Sequence, residues 1–315
     1  MHNFTSVSTF LLLEISEARE LQILHLFVFL ATYLTTVSGN LLISIVIALD
    51  HHLHTPMYFF LINLAVMDLG SVSVIVPKSL ANSLMNNWHI SYSGCTAQVF
   101  FFVFFVESNF FLLTVMAYDR YVAICNPLQY EVVMNRGTCT QMLATVWFLG
   151  IFSAMLHTGG TFSTPFCSNA VNQFFCEIPK LLKLTCSDLT ELGVIVLNVI
   201  TGLSCFVFIV ITYVYIFTEV LRIPSVQGRQ KAFSTCLPHL IVFSTFVFTV
   251  CFAYLRPSSN TPPHLDLTFT VLYSMVPPVL NPIVYSMRNK DMKVALSKLF
   301  GSWFSPRNAF AIFLL

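Results

Sequence analysis

Charge is what this sequence has least of. Only 9% of its 315 residues are Asp, Glu, Lys or Arg, against roughly 25% in soluble domains. So few charges cannot cover a water-facing surface, while 56% of the residues are hydrophobic and Phe alone supplies 32. A soluble enzyme and a disordered chain are both excluded on that ground. Neither sign is in excess, since the formal net charge is +1; the basic footprint of a nucleic-acid binder is absent. Also missing is a cleavable signal. Met1 to Glu20 holds Glu14, Glu17, Arg19 and Glu20 around one short apolar run, Phe10 to Leu13, whereas a signal peptide needs a basic start and a longer apolar stretch. The first spanning segment is therefore expected to do the targeting. No nucleophile–base set, phosphate-cradling Gly loop or paired carboxylates stand out, so no enzyme is expected. His51, His52 and His54 lack a fourth ligand in range, and neither a metal nor a cofactor is expected.

What the sequence does have is long apolar runs. About 20 apolar residues cross roughly 30 Å of hydrocarbon, and seven windows qualify: Leu24–Leu49, Met57–Leu80, Thr96–Arg120, Gln141–His157, Leu192–Val220, Leu237–Leu255 and Leu267–Met287. The fourth is the shortest, and Gly159-Gly160 is expected to end it. The longest connection, Thr158 to Glu191, is too polar and Cys-rich for lipid. No internal repeat of the transporter kind is visible. The reading is an all-α membrane protein, one seven-helix bundle over residues 24–287, with an outer segment at 1–23 and a cytoplasmic helix and tail at 288–315.

Lys and Arg orient the bundle. Arg120, Arg136, Arg222, Arg229, Lys231, Arg288, Lys290, Lys293, Lys298 and Arg307 share one side; Arg19, Lys78, Lys180, Lys183 and Arg256 share the other. The richer side is cytoplasmic, which puts the N-terminus outside and the C-terminus inside. Asn3-Phe4-Thr5 is a glycosylation sequon that needs such a lumenal N-terminus. Cys95, Cys167, Cys176 and Cys186 all fall on the outer side, where disulfides persist. Spacing alone allows any of their pairings.

Polar groups inside a span are costly and are functional candidates. Asp68 lies about 16 Å into the second span, and Asn109 about as far up the third from Arg120. Asn281 on the seventh and Asn40 on the first could join them in one hydrated polar cluster, around a cation or as hydrogen bonds holding the bundle together. Asp119-Arg120-Tyr121 ends the third span at the inner boundary, where an Asp beside an Arg can hold it until a partner competes.

Residues around that tripeptide point to a family. Met116–Leu128 (MAYDRYVAICNPL), Leu53–Leu61 (LHTPMYFFL), Lys231–Cys236 (KAFSTC) with His239-Leu240, and Leu280–Ser286 (LNPIVYS) with Arg288-Asn289-Lys290 follow one another in family order. Together they resemble the odorant receptors of tetrapods, rhodopsin-like G-protein-coupled receptors, from about Phe10 to Phe300. That resemblance implies pairing of Cys95 with Cys176 and of Cys167 with Cys186, in a loop lying as a lid over a ligand pocket. It implies an odorant pocket in the outer half of the bundle, and small-molecule sites are generally apolar with few polar groups. Its lining would be Val99, Phe102, Val103, Val106 and Glu107 on the third helix, Leu197 and Thr201 on the fifth, Val250, Cys251 and Tyr254 on the sixth, and Val271 and Ser274 on the seventh. Activation would involve Asp119, Arg120, Tyr121, Tyr213, Asn281, Pro282 and Tyr285. A stimulatory olfactory G protein, cyclic AMP and the cilia of olfactory neurons are further implications, as is a short amphipathic helix after the last span.

The chain departs from the family pattern in places. Asn109 stands where the family has Glu, and the acid is Glu107 instead, about 200° round the helix. Phe246-Val247-Phe248 replaces Phe-Tyr-Gly, Pro238 adds a break to the sixth span, and no Cys follows Cys251 for lipid attachment. Two other classes fit the residues more loosely. A transporter or channel would use Asp68 and Glu107 along an ion path, and a rhodopsin-like receptor for an endogenous metabolite would differ only in where it is expressed.

Overall fold

A chain that must cross hydrocarbon satisfies its backbone within each crossing, and helices do so. In the computed structural model, which describes residues 7–13, 19–186, 188–254, 263–288 and 290–300, long helices dominate. They are α1 (Arg19–Leu49), α2 (Pro56–Met85), α3 (Tyr92–Cys125), α5 (Arg136–Phe162), α7 (Asp188–Arg222), α8 (Val226–Tyr254) and α9 (Pro263–Arg288). Short helices α4 (Tyr130–Val133) and α6 (Ile178–Leu182) lie in connections, and α10 (Lys290–Phe300) follows the last span. Among the described residues, six of the long helices are apolar enough along their length to cross a membrane. The exception, α9, contains Pro277, Pro278 and Pro282 together with Thr270, Ser274 and Asn281, and all three polar side chains are buried. Its polarity faces the bundle.

The helices overrun the apolar windows because a helix continues past the hydrocarbon into the headgroups. At about 1.5 Å per residue, the 31 residues of α1 extend about 46 Å. The glycine pair does not end α5, which runs through Gly159 and Gly160 to Phe162, and the Ser163 amide still bonds back to the Gly159 carbonyl at 3.0 Å. Local sequence marks the starts of α3, α5 and α2. Ser91 accepts from the Gly94 amide at 3.1 Å, Asn135 accepts from the Thr138 amide at 3.0 Å, and Pro56 opens α2.

The bundle is apolar outside as well as inside. Leu34, Phe148, Val199 and Val214 are each more than half exposed, as a surface solvated by lipid tails requires. Inside, the largest cluster joins Ile43, Leu64, Met67, Leu112, Leu113, Met116, Val242 and Tyr285 from α1, α2, α3, α8 and α9. Close approach fixes the seams. A Cβ on Gly39 would stand 3.1 Å from the Pro282 ring, and one on Gly150 would collide with the Ser108 hydroxyl.

Among the described residues, a small sheet departs from the all-helical architecture. Strand β1 (Thr9–Leu12) pairs antiparallel with β2 (His89–Ser91) and parallel with β3 (Ala170–Val171), in the order β2-β1-β3. Phe10 and Leu12 point inward and are buried; the Phe10 ring packs edge-on to Phe166 at 5.1 Å. The run Phe10 to Leu13, too short for a signal or a span, is thus a strand. The sheet sits at the end that bears the disulfides, the outer end.

Candidate functional site

At the outer end, the connection between α5 and α7 folds into the mouth of the bundle. Disulfides tie Cys95 at the start of α3 to Cys176, and Cys167 to Cys186, with Cα separations of 5.6 and 5.5 Å. Gln173, Phe174, Phe175, Cys176 and Glu177 are all buried. Phe174 meets Phe29 of α1 at 5.3 Å, and Phe175 meets Phe102 of α3 at 5.4 Å. Polar contacts fix the loop to three helices. The Cys176 amide donates to Gln98 Oε1 at 2.9 Å, and Gln98 Nε2 donates to the Val74 carbonyl at 3.1 Å. Gln173 Nε2 donates to Thr270 Oγ1 at 2.7 Å, and the Tyr273 hydroxyl donates to Glu177 Oε1 at 2.5 Å.

Below this plug lies a cavity of about 20 Å³, lined in part by Leu64, Asp68, Val106, Asn109, Phe246 and Ser274. Such a volume admits about one water molecule. Asp68 is fully buried, and each of its oxygens accepts an amide proton: Oδ1 from Asn109 Nδ2 at 2.9 Å, Oδ2 from Asn281 Nδ2 at 2.7 Å. Three helices are thereby pinned to one carboxylate. Asn40 does not reach it. Its amide donates instead to the carbonyl of Pro278 at 3.1 Å. The reason is Pro282, four residues on, which has no N–H to offer that carbonyl. Asn40 of α1 supplies the donor that α9 lacks.

At the inner end, Asp119 and Arg120 form a buried ion pair. Arg120 Nε donates to Asp119 Oδ2 at 2.9 Å, and the Tyr130 hydroxyl donates to Asp119 Oδ1 at 2.8 Å. Burial, with the charge of Asp119 beside it, raises the Tyr130 phenol above its ordinary value, so it remains a donor. A second inner contact joins α3, α7 and α8. His239 Nε2 lies 2.9 Å from the Leu113 carbonyl, which can only accept; a neutral ring must then carry its proton there and accept at Nδ1 from the Tyr213 hydroxyl, 2.8 Å away. At the inner surface Lys298 of α10 donates to Asp50 at 3.1 Å. That contact and the His52 amide hold the Asp50 carboxyl below its ordinary value, the amide most.

Comparison with known proteins decides what kind of bundle this is. The family model of the rhodopsin-type seven-transmembrane receptors matches residues 39–285. Human olfactory receptor 14A16 is 49% identical over 95% of this chain and 97% of its own length, and human olfactory receptor 14I1 is 50% identical over the same shares. The chain is an olfactory receptor of the rhodopsin family. It is therefore a receptor and not an enzyme, a multi-pass membrane protein of a family that senses odorants and works through G proteins. Squid rhodopsin shares the fold at a TM-score of 0.74 with 16% identity, over 90% of this chain and 81% of that one.

Placed in this olfactory receptor, the residues expected to line a ligand site divide. Val99 is buried among Cys95, Cys176, Phe10 and Phe166, and Phe102 among Phe174, Phe175 and Tyr273; both pack on the loop. Val103, Val106, Glu107, Leu197, Thr201 and Val271 are half-buried, and Cys251 is exposed. Ser274 is buried, its hydroxyl donating to the Thr270 carbonyl at 2.7 Å. Of the described members of this set, only Val106 and Ser274 border the small cavity. The side chains of Val250 and Tyr254, and all of Asn3, lie outside the described residues. On the inner side, Tyr121 packs near Tyr215 at 6.2 Å, and Tyr285 is buried with its hydroxyl meeting no described partner. Sequence reasoning did not single out Gln173, Glu177 and Tyr273, whose partners lie on distant segments. His239 stood out only within a family motif, and Phe246 only where the chain departs from one. Yet His239 bridges three helices, and Phe246 stacks on Phe110 at 5.3 Å.

Proposed function

We propose that this receptor binds small, mostly apolar volatile molecules in the outer half of its bundle and activates a stimulatory, olfactory-type G protein to raise cyclic AMP. It does so at the plasma membrane of olfactory cilia, with Asn3 glycosylated outside. The observation that carries the reading is the course of α3. One helix touches the loop at Phe102, the polar core at Asn109, the Tyr213–His239 pair through the Leu113 carbonyl, and the inner ion pair at Arg120. Val99, Phe102, Val103, Val106, Glu107, Leu197, Thr201, Val250, Cys251, Tyr254, Val271 and Ser274 are the proposed ligand contacts.

A ligand favours the active arrangement only through contacts better made in that state. Displacement at Val106 or Ser274 reaches Asp68 and Asn281 across a single small cavity, and from there Pro282 and Tyr285. The inner end of α8 then swings outward, His239 leaves Tyr213, and Arg120 leaves Asp119 to meet the G protein. The test is cyclic AMP in cells expressing the tagged chain, with surface staining, across a broad odorant panel. A concentration-dependent rise that is lost without the stimulatory G protein, and lost in Arg120→Ala while ligand still binds, is expected. Ligand-driven flux of an ion without G protein would overturn the reading in favour of a transporter or channel.

A further inference from the structure

Two carboxylates lie deep in the spans, and the structure treats them oppositely. Both oxygens of Asp68 are occupied by amide donors. Glu107 is joined by no hydrogen bond or ion pair to any described residue. It sits about 20 Å up α3 from Arg120, far from either headgroup layer. No charged side chain of the described residues acts on it. Arg120 is already paired with Asp119, and His239 is committed to Tyr213 and Leu113. Its surroundings are apolar or weakly polar: Val103, Val106 and Phe110 on its own helix, with Cys205 of α7 within electrostatic reach. It is half-buried, and its oxygens are not among the sealed, unpartnered polar atoms of the described residues.

A lone carboxylate in a low-dielectric span is expensive to keep ionised. Burial of such a charge becomes tolerable when an opposite charge with good hydrogen-bond geometry meets it. No described residue offers Glu107 such a group, and a ligand can. We infer that Glu107 is the counter-ion for a protonated amine, so that small alkyl- or arylalkyl-amines are the ligand class of this receptor. The occupant's being an odorant rests on the function proposed above. The apolar neighbours take the carbon body and Glu107 takes the ammonium. A matched alcohol leaves the carboxylate without a cation, and a matched carboxylate brings a second negative charge into the same space.

The test is thermal unfolding of the purified full-length chain in lipid nanodiscs, titrated with hexylamine, hexanol and hexanoate, and with phenethylamine and phenethyl alcohol. Saturable stabilisation by an amine is expected, with the matched alcohol roughly 30-fold or more weaker and hexanoate without effect. Glu107→Gln should erase the amine preference. Glu107→Asp, which keeps the charge, should retain part of it and guards against a Gln variant that folds poorly. Amines no better than alcohols, silence from every amine, or an amine preference that survives Glu107→Gln overturns the inference. Alcohols or aldehydes that bind and signal without any amine preference overturn it alone and leave the odorant reading standing. Amine binding that never activates a G protein in cells with surface receptor leaves Glu107 as the counter-ion and overturns the signalling reading.

Discussion

The two ends of the bundle are held by different kinds of bond. Outside, the closure is covalent and backbone: two disulfides, a three-stranded sheet, and a loop whose Phe174 and Phe175 are fully buried. Inside, it is made of side chains that can exchange partners: Asp119 with Arg120 and Tyr130, Tyr213 with His239, Lys298 with Asp50. Covalent and ladder bonds fix geometry, whereas ion pairs and single hydrogen bonds can be re-made at low cost when a competitor arrives. The outer end is therefore built to keep a shape, and the inner end to change one. Between them, Asp68 is held by amides from two helices, a junction that either end can pull on.

The contrast can be tested end against end. The largest effect is expected from Cys95→Ser, which opens a loop of 81 residues and should cost about 4–5 kcal/mol, read as a large fall in melting temperature and loss of surface staining. Cys167→Ser opens a loop of only 19 residues and should cost about 3 kcal/mol in the same assay. Tyr273→Phe removes one hydrogen bond to buried Glu177 and should cost about 2 kcal/mol, with ligand potency falling more than basal signalling changes. Tyr130→Phe frees one oxygen of Asp119. Because Tyr130 is half-exposed, it should lower stability by about 1 kcal/mol or less while raising ligand-independent cyclic AMP. A Tyr130 variant that destabilised the protein as much as Cys95→Ser would break the contrast.

The smallest effect is expected at Asp50. Its carboxyl is held below the ordinary value, so the stabilising contact with Lys298 is complete above the unfolded-state value and is lost only as pH falls through the lowered one. Because the pair is exposed at the surface, melting curves of wild type and Asp50→Asn should nearly coincide, and any gap between them should close in acid.

Spans and orientation were legible because hydropathy and Lys/Arg placement are read directly by the membrane. Depth along each helix also brought Asp68, Asn109 and Asn281 together, since level residues on neighbouring helices must meet. Partner choice was less legible. Asn40 looked like a fourth member of that cluster, but its donor answers a backbone carbonyl that Pro282 leaves open, and side-chain depth carries no trace of this. The run at Phe10 gave no strand signal of its own, because its partners are His89–Ser91 and Ala170–Val171. The glycines at 159 and 160 misled for a different reason. A glycine costs a helix only about 1 kcal/mol relative to Ala, too little to stop a ladder that continues to Ser163. Val99 and Phe102 could be placed on the outer half of α3, but that Phe166 and Phe175 cover them follows from the loop's fold.

The sheet has a consequence for how the chain is made. Strand β1 is synthesised before the described helices, yet one of its partners follows α2 and the other follows α5. It must cross to the lumen and wait, with Phe10 and Leu12 uncovered, until most of the bundle has been threaded into the membrane. Completion of the outer end is thus a late event of biogenesis. A chain stalled during insertion would show folding factors an exposed apolar strand at its amino end, and a finished receptor would hide it.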